Sequence, residues 1–173
     1  MLHAVVPKAT RFAAIVNPNT PEGRSQIADL RAAAQELGLD LRLLEARSEN
    51  EIDTVFATLA NDRVDALLVG SDPIFDVNRD KVIALVMANK LPAIYQFRDF
   101  AAAGGLMSYD PDIADAHRKV GVYAGQILKG KVPAELPIQQ PTKFNFIINL
   151  KTAQAMGIDI PPTLLAQADE VIE

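Results

Sequence analysis

The side chains of this 173-residue sequence that could recognise a small molecule gather at four places, each directly after a short apolar run. Asn17-Pro18-Asn19-Thr20 follows Phe12–Val16, and its side-chain amides sit beside the free N–H groups of a helix start, which attract carboxylates and other anions. Gly70-Ser71-Asp72-Pro73 follows Ala66–Val69. There Ser71 can donate to an anion, whereas Asp72 repels one and suits an ammonium group. Tyr95 and Phe97 lie two residues apart at the end of Ala93-Ile94-Tyr95, so they share one face of an extended segment and can wall a cleft. Tyr109-Asp110 repeats the pattern more weakly. Each group also has a plainer reading: a turn with an N-cap at Asn17–Asn19 and at Ser71–Asp72, and core aromatics at Tyr95 and Phe97.

Catalytic chemistry has little to stand on. The sequence has no Cys, which excludes thiol catalysis, disulfides and thiolate metal sites. His3 and His117 are far apart and read as surface groups. Dinucleotide, P-loop, hydrolase-elbow and zincin motifs are all missing, and no carboxylate pair stands out, so neither a metal nor a cofactor is expected. The net charge of -5 provides no basic field for nucleic acid. Binding without chemistry is the simpler hypothesis. No run approaches the roughly 18 apolar residues of a membrane span, and the first residues lack the layout of a signal peptide. Leu2–Ala9 instead reads as the end of a helix entered from upstream.

The elements that carry these groups repeat. Strands starting at Phe12, Leu39, Ala66 and Ala93 are spaced by 27 residues, with helices between them. Thr20 caps the first long helix, with Pro21 at its first position and Gly38 as its stop; Ser48 and Glu51 form a capping box for the next. This rhythm predicts an α/β fold, a parallel sheet flanked by helices in three α/β/α layers, with ligands beyond the carboxyl ends of the strands. After Asp99 the rhythm breaks. Phe100–Gly105 is a small-residue interruption, Leu106–Tyr109 a short strand, and a helix with Ile113, Ala116, Val120, Ala124 and Ile127 on one side runs to about Leu128. Residues 131–143 contain Pro133, Pro137 and Pro141 and read as an extended connector. A strand at 144–149, a short helix through Met156 and a last helix opened by Pro161-Pro162 and carrying Leu164, Leu165, Ala168 and Val171 complete the chain.

Four blocks, VPKATRFAAIVNPNTP, DALLVGSDPIF, LPAIYQFRDFAAAGGLMSYDPD and ILKGKVPAELPIQQPTKFNFIINLKTAQAMGIDIPPTLLAQADEVIE, resemble the ABC-transporter substrate-binding proteins of the tryptophan/tyrosine-binding type. The resemblance implies a type I periplasmic-binding-protein-like fold in which two lobes close on a small solute and pass it to a membrane permease, outside the cytoplasm and without catalysis. It further implies that this sequence is the C-terminal portion. Residues 1–99 and 144–173 would form one lobe, residues 106–130 would belong to the other, and 100–105 and 131–143 would be hinge crossings. Asn17, Asn19, Ser71, Asp72, Tyr95 and Phe97 would then face the cleft, for an amino acid or aromatic acid. A helix at 113–128 separated from its lobe would expose an apolar stripe and favour self-association or domain exchange. Two other classes stay open on the residues alone: the effector-sensing domain of a repressor-like regulator, and a small cytosolic α/β enzyme.

Overall fold

The computed structural model describes all residues 1–173. Its seven strands are β1 (Arg11–Val16), β2 (Asp40–Glu45), β3 (Ala66–Val69), β4 (Ala93–Tyr95), β5 (Met107–Pro111), β6 (Phe144–Asn149) and β7 (Glu170–Ile172). They form a single sheet in the order β2-β1-β3-β4-β5-β6-β7. The first five run parallel, β6 reverses against β5, and β7 runs with β6. The carboxyl ends of five neighbouring strands therefore lie along one edge, as the alternation of strands and helices requires.

Two layers of helices cover the sheet. On one face, α3 (Glu49–Leu59), α4 (Pro73–Val77), α5 (Arg79–Ala88) and α6 (Arg98–Ala102) bring Ile52, Phe56, Phe75, Val82 and Phe100 against Ile15, Leu67, Val69 and Tyr95. On the other, α1 (Leu2–Val5), α8 (Leu150–Met156) and α9 (Pro162–Leu165) bring Leu2, Ala153 and Leu164 against Phe12, Ala66, Met107 and Phe146. The long α2 (Pro21–Leu37) joins this second layer, lining a cavity with α1 and the start of β1. The helix boundaries follow from local chemistry. Thr20 Oγ1 accepts from the Gly23 N–H at 3.0 Å, Ser48 Oγ accepts from Glu51 N–H at 3.3 Å, and Gly38 ends α2 in the left-handed region at φ 64°.

Three parts differ from the sequence reading. Residues 98–102, the last three of them read as part of a small-residue break, form α6, whose Phe100 and Ala101 are buried against the sheet. Residues 107–111, expected with a second lobe, lie in this sheet as β5 because Ser108 and Asp110 pair with Ile147 and Asn145 of β6. The third difference is at the carboxyl terminus, where helix ends at Leu165 and Glu170–Ile172 adds a strand to β6. Asp169 enforces that turn from helix to strand: its Oδ2 accepts from Phe146 N–H at 2.7 Å, and its own N–H donates to the Phe146 carbonyl at 2.8 Å.

What does stand away from the sheet is α7 (Ile113–Leu128) with the connector behind it. Asp112 N–H donates to the Lys143 carbonyl at 2.9 Å, so the chain departs and returns at one point of the strand-end edge. Asp115, the one buried residue of α7, lies at this base and pairs with Arg118 at 2.6 Å and Lys119 at 2.9 Å, which hold its carboxyl down at about 2. Along the excursion, Tyr123 donates from its hydroxyl to the Pro137 carbonyl at 2.6 Å.

Gly23 shows how tightly the first elbow is folded. A Cβ built there would stand 1.7 Å from the Asn17 carbonyl oxygen. Helix propensity alone favours Ala over Gly by about 1 kcal/mol, but here the obstacle is backbone. Gly23→Ala is expected to lower the urea midpoint by the equivalent of about 1–3 kcal/mol, the usual cost of overpacking; an unchanged or raised midpoint would show that the elbow can give way.

Candidate functional site

The strand-end edge carries a row of polar groups, one per strand. Asn17 follows β1, Ser71 follows β3, Gln96 follows β4, and Asp110 lies near the end of β5. Because β1, β3, β4 and β5 are successive neighbours, continuing their register puts Asn17, Ser71 and Asp110 at one level across about 14 Å, three strand spacings, with Gln96 one residue back on β4. The helix starts of α2, α4, α6 and α7 all open on the same edge, so their exposed N–H groups add positive potential there.

Asn17 is half-buried, and its Oδ1 accepts from Asn19 N–H at 3.1 Å, closing an Asx turn. Asn19 is exposed, and its carbonyl, with that of Pro18, accepts from the Arg24 guanidinium. Ser71 is half-buried. Its main chain is held by Gln26 of α2: Ser71 N–H donates to Gln26 Oε1 at 2.8 Å, and Gln26 Nε2 donates to the Ser71 carbonyl at 2.9 Å. Asp72 is only 6% exposed, and its Oδ1 accepts from Ile74 N–H at 3.0 Å as the cap of α4. The plainer reading describes Asp72: a helix cap turned inward.

Tyr95 is also a core residue here. It is 2% exposed, stacks on Phe100 with ring centroids 4.9 Å apart, and leaves a hydroxyl with no partner inside the fold, so burial pushes its ionisation well up. The expected wall of the cleft is therefore one layer deeper than the surface. Phe97, two residues on, is half-buried against the same core at the start of α6. Of the six residues singled out in the sequence, Asn17, Asn19, Ser71 and Phe97 are accessible at the edge, and Asp72 and Tyr95 lie behind it.

Two further residues complete the row: Gln96, and Asp110 of the weaker Tyr109-Asp110 pair. Gln96 is half-buried with Oε1 shut away from solvent and unpaired; Asp110 is 6% exposed with Oδ1 unpaired. Burial raises the Asp110 carboxyl above its usual range, partly offset by the N–H of Arg98 and by its guanidinium. That guanidinium is engaged elsewhere, in a two-pronged bridge to Glu170 at 2.7 and 2.6 Å. The signal for Asp110 was present in the pattern, since it ends an apolar strand, but it becomes readable only once β5 is known to belong to this sheet. One cavity of about 260 Å³ lies between α7 and its connector and another of about 200 Å³ lies beneath α1 and α2; neither is lined by a residue of the row.

Residues 1–172 match the model of a protein family described as ABC transporter substrate binding protein. The chain belongs to this family. A tyrosine-binding protein of Clostridioides difficile strain R20291 is 22% identical over 158 residues, covering 91% of this chain and 46% of its own length. Among solved structures, an ABC domain in complex with L-Trp from Streptococcus pneumonia superposes with a TM-score of 0.89 at 27% identity, over 99% of this chain and 58% of that one. A conserved domain protein of Vibrio cholerae O1 biovar El Tor reaches 0.90 at 21% identity, over 98% of this chain and 57% of that one, and shares the fold. The present substrate-binding protein chain thus spans about half the length of such relatives.

Asp110 gives this site a pH signature. Its carboxyl sits above the usual range in the fold, so its favourable contribution is present below that range and is lost as pH rises through the elevated value. Asp110→Asn is expected to raise Tm at pH 7, by about 2–4 °C per kcal/mol recovered, and to leave it unchanged at pH 3. Thermal scans at the two pH values check this; equal shifts at both would show that Asp110 is not strained by burial.

Proposed function

We propose that this chain is the C-terminal portion of a two-lobed solute receptor of an ABC importer. In this reading β1–β7 with their covering helices form one lobe, α7 and residues 131–143 reach into the second, and the hinge crosses at Pro111–Asp112 and Lys143–Phe144. The solute is an amino acid or aromatic acid, taken up outside the cytoplasmic membrane and handed to a permease by opening and closing of the lobes, with no bond made or broken. A buried carboxyl with one unpaired oxygen, Asp110, standing at the strand ends with Gln96, Ser71 and Asn17, is the observation that carries this reading. A polar group left unpaired in a low-dielectric site is costly, and an ammonium or N–H donor from a ligand removes that cost. Asn17 and Ser71 are neutral and stand near helix N-termini, which fits the acceptor-rich part of the solute. Phe97 offers the apolar contact. Relatives whose names record tyrosine and L-Trp support the choice of ligand class.

Calorimetry on the complete gene product with L-tyrosine and L-tryptophan tests this site. Asp110→Ala should weaken binding by about 2–5 kcal/mol, the scale for one partner of a buried charge pair, and Ser71→Ala by about 1–3 kcal/mol. Full affinity in both variants would place the solute elsewhere.

The second-lobe reading of α7 has its own consequence. Ile113, Val120 and Ile127 are exposed along one side of α7, at 44%, 65% and 41%, on a helix that buries little against the sheet. In the two-lobed protein the other lobe covers this stripe. Residues 1–173 alone should self-associate in light-scattering chromatography, the complete gene product should not, and Val120→Glu should shift the short chain towards monomer. A monomeric short chain would mean that the stripe is tolerated in water.

A further inference from the structure

The amide of Gln26 is spent entirely on another element's main chain. Its Oε1 accepts from Ser71 N–H at 2.8 Å and its Nε2 donates to the Ser71 carbonyl at 2.9 Å, across 45 positions of sequence. This is the paired donor and acceptor of a neighbouring strand, supplied by a side chain. The ladder between β1 and β3 continues as far as Gly70 N–H, which donates to the Ile15 carbonyl at 2.9 Å. Ser71 follows, beyond the last paired residue of β3, and its main-chain N–H and carbonyl are both bonded by Gln26.

The surroundings fit this approach. A Cβ on Gly70 would stand 2.8 Å from Gln26 Oε1 and 2.9 Å from the Ile15 carbonyl, so the glycine keeps open the space the amide occupies. One turn earlier on α2, Gly23 is pressed against the Asn17 carbonyl, and its N–H donates to Thr20 Oγ1. Positions 23 and 26 share a face of the helix. The same helical turn thus abuts the elbow after β1 and grips the elbow after β3, and it fixes Asn17 relative to Ser71. An ordinary surface glutamine would leave its amide to water; this one is half-buried and makes two well-formed bonds.

We infer that Gln26 is a positioning residue for solute binding, which acts by setting the Ser71 elbow in register with the Asn17 elbow and touches no solute itself. The inference rests on the proposed site, because Ser71 must be one of its contacts. Asp72, which caps α4 directly after the gripped residue, is carried in the same motion, so the direction of the α4 start also depends on the amide.

Coupling is the test, because a purely structural role for Gln26 would not produce it. With the complete gene product, L-tyrosine and L-tryptophan as probes and calorimetry as the readout, Gln26→Met keeps the length of the side chain and removes both bonds. It should weaken binding about tenfold or more, the scale of one or two lost hydrogen bonds. Ser71→Ala should do similarly, and the double variant should be little worse than Ser71→Ala alone, since a misplaced elbow without its hydroxyl has little left to lose. Amide exchange provides a reading that needs no ligand: Gln26→Met should speed exchange at Ser71 while leaving Gly70, bonded to Ile15, unchanged. Wild-type affinity in Gln26→Met, losses that multiply in the double variant, or unaltered exchange at Ser71 would overturn the inference. Measured alongside, Asp110→Ala separates the two failures: if it weakens binding while Gln26→Met does not, the site stands and the role of Gln26 falls. If neither it nor Ser71→Ala matters, the site itself is misplaced and the inference falls with it.

Discussion

The antiparallel pairing of β5 with β6 is the constraint on which the rest depends. Five parallel strands would, on their own, place every connection on a covering helix and every strand end at one open edge. The pairing of Ser108 with Ile147 and Asp110 with Asn145 returns the chain to that edge, and the bond from Asp112 N–H to the Lys143 carbonyl closes the base of whatever lies between. Residues 113–142 can then only stand out from the edge that carries Asn17, Ser71, Gln96 and Asp110. Asp115 at this base, with Arg118, Lys119 and, at 3.8 Å, Lys143 around it, draws charges from the departing helix and the returning strand to one carboxylate. In the two-lobed reading this base is the hinge, and the polar row is next to it.

Much of this was legible in the sequence because it is local. The caps at Thr20 and Ser48, the left-handed stop at Gly38, and the apolar strands before each elbow rest on interactions within a few residues, and the structure shows them where the pattern puts them. What could not be read there depends on distant pairing. Met107–Pro111 has the same appearance whether it joins this sheet or another, and only β4 and β6 decide. Glu170–Ile172 looks helical by its spacing with Leu164 and Leu165, and becomes a strand because β6 offers an open edge and Asp169 ties the turn to Phe146. Phe100–Gly105 reads as a break by composition, whereas the stacking of Phe100 on Tyr95 makes α6 part of the core.

The proposed site was half legible for the same reason. A residue type at a strand end can be recognised from spacing, but whether it faces outward depends on what packs beside it. Asp72 and Tyr95 have the chemistry for recognition and are committed to a cap and to a stacked core. Gln96 attracts no notice in sequence and Asp110 only a weak one, yet these two have the unpaired oxygens. Gln26 lies on a helix, far from any strand end, and its role cannot be seen without the geometry of two elements that meet.

The last strand also explains why Asp110 is available at all. A carboxylate this buried would ordinarily be neutralised by the nearest cation, and Arg98 is close enough to affect its ionisation. Had the guanidinium turned to Asp110, the edge would hold a satisfied ion pair, and an incoming ammonium would have to break it. Glu170 prevents this. It takes both prongs of Arg98 in a bidentate geometry, the strongest arrangement open to that pair, and the bridge in turn holds the carboxyl of Glu170 below its usual range. Arg98 is thereby fixed between the start of α6 and β7, stabilising that corner, while Asp110 Oδ1 is left without a hydrogen-bond partner. In the proposed site this leaves the unpaired Oδ1 of Asp110 for a ligand, and the three-residue strand that sequence spacing reads as helix is what supplies the competing anion.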